Sequence, residues 1–143
     1  MGFKVPELQA QSKSPLDKGT WDMRFKKFVH GESSVKKTPF VQAIFKVVDE
    51  DAVDVEGNAY KRDFYADTFY LTPNAMWRLK NFASTAEVEV PGSGEEFDSL
   101  ADFAEALTDA FDGLEGTVEV DLETYEDKDG NERQKSVPVG YSF

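Results

Sequence analysis

Apolar and polar positions alternate from Thr20 onward, with Trp21, Met23 and Phe25 on one side and Asp22, Arg24 and Lys26 on the other. That is the period of a half-buried strand, and it predicts strand one over 20–29. Residues 30–37 are polar and hold a glycine, which reads as a loop. An almost unbroken apolar run from Phe40 to Val48 then has the pattern of a central strand wetted little on either face. The acidic stretch 49–57 connects to a third strand over 58–71, long enough to bend or bulge.

Thr72-Pro73 has the chemistry of a helix start, since threonine can cap and proline needs no donor at the first helical position. Ala75, Met76, Leu79, Phe82 and Ala83 recur at helical spacing and predict a short helix ending near 83. A second helix, 99–111, carries the stripe Leu100, Phe103, Ala104, Leu107 and Phe111, with Gly113 as its stop. The rest reads as a hairpin: 117–125 alternates, Asp129-Gly130-Asn131 turns, and 133–139 returns. Three strands, two helices and two strands give a mainly β, α+β chain. With the helices inserted between strands three and four, this is the layout of an OB-type five-stranded Greek-key barrel. Residues 1–18 mix Pro, Gln, Ser and Lys without period and read as a flexible arm before a single domain over 19–143.

Composition changes this picture in three ways. The chain has 143 residues and no cysteine, so thiolate metal sites, disulfides and cysteine nucleophiles are excluded. No apolar run approaches the roughly 20 residues of a spanning helix, and the start lacks a secretory core, so a soluble cytoplasmic protein without membrane contact is expected. The net charge of −12 is divided unevenly: residues 1–48 hold nine basic against four acidic residues, while 81–143 hold three against seventeen. A segregated basic half leaves one face able to meet phosphate.

Catalytic constellations do not assemble. Pro91-Gly92-Ser93-Gly94 has neither phosphate-loop ending nor dinucleotide spacing. The stretches beginning at Asp49 and Asp127 lack the glycine and glutamate of a calcium loop and read as solvated turns. The single histidine, His30, reads as a turn residue, and no cofactor or metal is expected. The remaining pattern interleaves cations with rings, as single-strand binding requires: charge tracks phosphates and flat side chains stack on bases. Arg24, Lys26 and Phe28 share one face by parity, Lys36, Lys37 and Phe40 follow at the next loop and strand, and Tyr60, Arg62 and Phe64 share a face of strand three. Trp21, Phe25, Phe45 and Phe69 are assigned to the core.

Four stretches are familiar as wording: Pro15-Leu16-Asp17-Lys18-Gly19-Thr20, Lys36-Lys37-Thr38-Pro39-Phe40-Val41, the run from Phe69 through Thr72-Pro73 and Trp77-Arg78-Leu79-Lys80 to Phe82, and Asp127-Lys128-Asp129-Gly130-Asn131-Glu132-Arg133. Together they resemble the small single-stranded DNA-binding proteins of tailed phages across residues 15–141. The resemblance implies an OB fold that coats single-stranded DNA in phage replication or recombination, without enzymatic activity. It marks Lys36, Lys37, Phe40, Trp77, Arg78 and Lys80 as family-like positions, with Trp77 expected to anchor its helix. Replication or recombination proteins, and a second copy of the chain, are admissible further partners. The rival reading is an acidic phage interaction protein, an inhibitor, adaptor or DNA mimic that docks on a basic host protein.

Overall fold

The computed structural model describes residue 2 and residues 14–60, 65–91 and 97–143. Its elements, in chain order, are β1 (Gly19–Glu32), β2 (Pro39–Val47), β3 (Tyr65–Tyr70), α1 (Met76–Thr85), α2 (Leu100–Ala110), β4 (Glu115–Glu126) and β5 (Glu132–Ser142). The five strands form one antiparallel sheet in the order β3-β2-β1-β4-β5, whose outer strands β3 and β5 are not joined by ladder hydrogen bonds. The mainly β, α+β class read from periodicity is therefore the observed one.

The core face of the sheet is built by alternation, as half-buried strands require. Met23 and Phe25 on β1, Val41, Ala43 and Phe45 on β2, and Tyr65, Asp67 and Phe69 on β3 all point inward. Helix α1 contributes Leu79, Phe82 and Ala83, and α2 contributes Ala104 and Leu107. Phe82 is the hub of the aromatic core: its ring stacks on Phe111 at 5.0 Å and on Phe69 at 5.4 Å, and meets Tyr141 edge-on at 4.6 Å. Rings at these separations add to the stabilisation from buried area alone.

β1 runs past its expected end at Val29 because His30, Gly31 and Glu32 pair with Val41, Phe40 and Pro39 of β2, and it carries one irregularity. The pairing with β2 steps from Phe25↔Phe45 to Lys27↔Ile44, so Lys26 is an extra residue in a bulge. Beyond Arg24, β4 no longer pairs with β1, and α2 with its following turn takes over that edge. The Phe25 amide donates to the Leu114 carbonyl at 2.9 Å, and the Phe28 amide donates to the Thr108 hydroxyl of α2 at 3.0 Å. The bulge inverts the parity of the second half of the strand, which turns Phe28 inward.

The helix boundaries follow from capping. Ser99 accepts from the Asp102 amide at 3.1 Å and caps α2. Thr72 accepts from the Ala75 amide, but the segment it opens is a turn, and α1 proper begins at Met76. Residues 14–18, read as part of an arm, are docked: Leu16 is buried, bridges to Asp54, and its carbonyl accepts from Ser136 Oγ at 2.6 Å. No helix among the described residues is long and apolar enough to cross a membrane.

Candidate nucleic-acid interface

The outward face of β1, β2 and β3 is fixed by register, because residues directly opposite in an antiparallel pair share a face. Arg24 lies opposite Lys46, Lys27 opposite Ile44, Val29 opposite Gln42, and Gly31 opposite Phe40. On the far side of β2, Ile44 faces Ala66, Gln42 faces Thr68 and Phe40 faces Tyr70. One end of this face therefore gathers Arg24, Lys27 and Lys46 beside the bulged Lys26, all exposed. The other end carries two rings, Phe40 and Tyr70, edge to face at 6.0 Å. From Lys27 to Gly31 the strand runs roughly 13 Å at about 3.3 Å per residue, so cations and rings lie along one short track. Between them Gln42 Nε2 donates to Thr68 Oγ1 at 3.0 Å.

Gly31 makes room for this arrangement. A Cβ at that position would approach Phe40 Cζ to 2.8 Å, so the absent side chain lets the Phe40 ring lie across β1. Tyr70 is 44% exposed and lines an open apolar groove of about 540 Å³ together with Val35, Lys36, Thr38 and Thr72. The β1–β2 loop that brings Lys36 there is tight. The Ser33 amide donates to the Thr38 carbonyl, the Lys37 amide to the Ser33 carbonyl, and the Thr38 amide to Ser33 Oγ at 2.9 Å. Lys37 holds φ 52°, a left-handed conformation uncommon outside glycine and asparagine. A ring, a cation and a groove thus meet where the loop folds over β3.

The electrostatics separate committed from available cations. Arg24 Nε donates to Glu115 Oε1 at 2.6 Å across the β1–β4 boundary, so its charge is shared. Lys26, Lys27, Lys36, Lys37 and Lys46 form no ion pair with another described residue. Arg78 is committed elsewhere: it donates to both oxygens of Asp67, at 3.1 and 3.0 Å, and to the Thr68 carbonyl at 2.9 Å. Tyr141 of β5 also donates to Asp67 Oδ2, at 2.5 Å, so this carboxylate ties β3, α1 and β5 together across the seam of the sheet. Burial pushes the Asp67 carboxyl above its ordinary value, opposed by the Tyr141 hydrogen bond and the Arg78 guanidinium. Burial likewise raises the phenols of Tyr141 and Tyr65.

The structure redistributes the residues singled out by sequence. Arg24, Lys26, Lys36, Lys37 and Phe40 lie on the outward face or its loop. Phe28 is corrected: it is 5% exposed, and its ring packs 5.3 Å from Phe25 and 5.4 Å from Phe111. Strict parity put it beside Arg24, and the bulge at Lys26 reverses that. Tyr60 is corrected too, since it sits half-buried against the core in the connection before β3, its amide donating to the Ala52 carbonyl. Arg62 and Phe64 lie outside the described residues. Trp77, expected to anchor its helix, is 60% exposed. Sequence reasoning passed over Tyr70, Lys27 and Lys46 as site residues. The alternation Tyr65, Asp67, Phe69 inward and Ala66, Thr68, Tyr70 outward carries the signal for Tyr70.

The leading carboxylates of the two calcium-like stretches accept from amides of their own turns and from neighbouring strands. Asp49 Oδ1 accepts from the Asp51 amide and Oδ2 from the Asp22 amide. Asp127 Oδ1 accepts from the Asp129 and Asn131 amides. Arg133 donates to Asp127 Oδ2 at 2.8 Å, which holds this carboxyl below its ordinary range. No protein-family model and no curated protein matches this chain.

Proposed function

We propose that the protein binds single-stranded DNA with little sequence preference, without catalysis, through the outward face of β1–β3 and the β1–β2 loop. The observation that carries this reading is the joint placement of Lys26, Lys27 and Lys46 at one end of a continuous strand face and of Phe40, Tyr70 and Lys36 at the other. Phosphates meet the lysines, and bases stack on the two rings, each stack worth about 1–3 kcal/mol whatever the base. On the same sheet face, Glu115 of β4 lies opposite Arg24, and its charge is shared in the ion pair with that arginine.

The strand order supports the finer fold reading. A sheet ordered β3-β2-β1-β4-β5 with helices between β3 and β4, whose outer strands approach through Tyr141 and Asp67, has the connectivity of a partly open OB barrel. On the resemblance to phage single-stranded DNA-binding proteins, the activity would serve replication or recombination of phage DNA in the host cytoplasm. A fluorescence titration with labelled oligo-dT, with duplex of equal length as control, tests the proposal. Wild type should favour the single strand, and Lys26→Gln/Lys27→Gln should weaken it. Equal affinity of that variant and wild type would overturn the assignment of this face.

A further inference from the structure

The outward face does not end at the lysines. Register carries it from β1 onto β4, where Arg24 lies opposite Glu115, Asp22 opposite Thr117 and Thr20 opposite Glu119. Val118 and Val120 are buried, so Glu119 and Asp121 on either side of Val120 stand outward, and both are exposed. Asp22 is exposed on the same face. Measured from Arg24 along the strand direction at about 3.3 Å per residue, Asp22 lies about 7 Å away, Glu119 about 13 Å and Asp121 about 20 Å. The face therefore turns from basic to acidic within a few residues of Arg24.

Neighbouring side chains leave these charges in place. Glu115 is paired with Arg24, and Glu123 has Lys135 at 3.8 Å, but Asp22, Glu119 and Asp121 form no ion pair with another described residue. Asp121 Oδ1 accepts from the Leu122 amide at 2.8 Å, a bond that does not cancel its charge. Asp49, whose Oδ2 accepts from the Asp22 amide at 3.0 Å, adds a further carboxylate beside β1. A polynucleotide seated on the lysines meets this change of sign according to its stiffness. A single strand bends sharply and can leave the face before reaching the carboxylates. A duplex has a persistence length of about 150 base pairs and must carry its phosphates straight on above them. Like charges brought together in this way cost affinity.

We propose that Asp22, Glu119 and Asp121 act as an electrostatic stop that makes the β1–β3 site select single over double strands. The inference rests on the single-strand reading of that face and names the polynucleotide form that the face rejects. The exposed rings also favour single strands, because a duplex has no free base to stack on them, and removing the carboxylates separates the two causes. Labelled oligo-dT and a duplex of equal length are titrated with the full chain in about 0.01 M salt, where surface charges act over about 30 Å. Asp22→Asn/Glu119→Gln/Asp121→Asn, which keeps the size of each side chain, should tighten duplex binding by about tenfold and single-strand binding by less than about threefold. Glu119→Gln alone should move duplex affinity the same way by a smaller factor. The control Glu126→Gln/Asp129→Asn/Glu132→Gln removes the same net charge from the tip of the β4–β5 hairpin and should leave the ratio of the two affinities near that of wild type. Unchanged duplex affinity in both ladder variants, equal tightening toward both forms, or a control that matches the triple variant overturns the stop while leaving the single-strand reading intact. A wild type that binds neither form overturns that reading, and the stop with it.

Discussion

Replacing Phe28 and replacing Tyr70 should separate the core of this protein from its binding face. Phe28 is 5% exposed, with ring neighbours Phe25, Phe111 and Phe82 at 5.3, 5.4 and 6.4 Å. Truncation to alanine removes the buried ring and leaves a cavity that those neighbours close only in part, a loss of about 3–5 kcal/mol. Since domains of this size have only about 5–15 kcal/mol of stability, Phe28→Ala should lose about a fifth of it or more. Tyr70 is 44% exposed, so Tyr70→Ala should change stability by less than about 1 kcal/mol. It should nevertheless weaken oligo-dT binding by about 1–3 kcal/mol, the worth of one stacked base. Urea unfolding read by far-UV circular dichroism gives the first quantity and a fluorescence titration gives the second, on the same preparations. The reasoning is refuted if Phe28→Ala keeps near-native stability yet binds single strands poorly, because the ring would then lie on the surface and the bulge at Lys26 would not invert the strand.

Two further substitutions probe the frame that holds the face. The buried Asp67 carboxyl has a folded-state pKa above its ordinary 3.8, so it favours the folded state in acid and loses that contribution as pH rises through the folded value. Wild type should therefore gain more stability than Asp67→Asn as the pH is lowered from 7 toward 4, in urea midpoints compared pairwise so that the shared surface carboxylates cancel. A smaller gain than the variant's would mean that Arg78 dominates and holds the group ionised. Gly116→Ala would place a methyl 2.3 Å from the Ser142 carbonyl oxygen and 2.7 Å from Phe143 Cα, both backbone atoms. It should displace the end of β5, with Phe143 against the core, and lower stability by about 1–3 kcal/mol, whereas an unchanged urea midpoint would contradict that packing.

Much of the fold is legible in the residues because each element declares its own period. The β1 alternation as far as Phe25, the apolar run of β2, the α2 stripe, and the turn at Asp129-Gly130-Asn131 are local features, and the structure keeps them. What escapes the sequence depends on partners distant along the chain. Past the bulge at Lys26 the Phe28 amide is held by Thr108, eighty residues further along, and no period in β1 announces it, so strict alternation misplaces Phe28. Asp67 is a carboxylate among aromatics, and its burial is made tolerable by Arg78 and Tyr141, which lie far along the chain or on another element. Tyr70 and Lys46 each follow an inward aromatic, so parity alone places them outward, whereas a third strand over 58–71 places Tyr60 on the face instead.

The salt dependence of oligo-dT affinity tests the binding face most directly. Five lysines on that face or its loop, Lys26, Lys27, Lys36, Lys37 and Lys46, make no ion pair with a described residue. At about 0.7 per phosphate neutralised on a single strand, they set a log–log slope no steeper than about −3.5, and Lys26→Gln/Lys27→Gln should flatten it by about 1.4. A slope near zero, or one that the double substitution leaves untouched, would contradict the account.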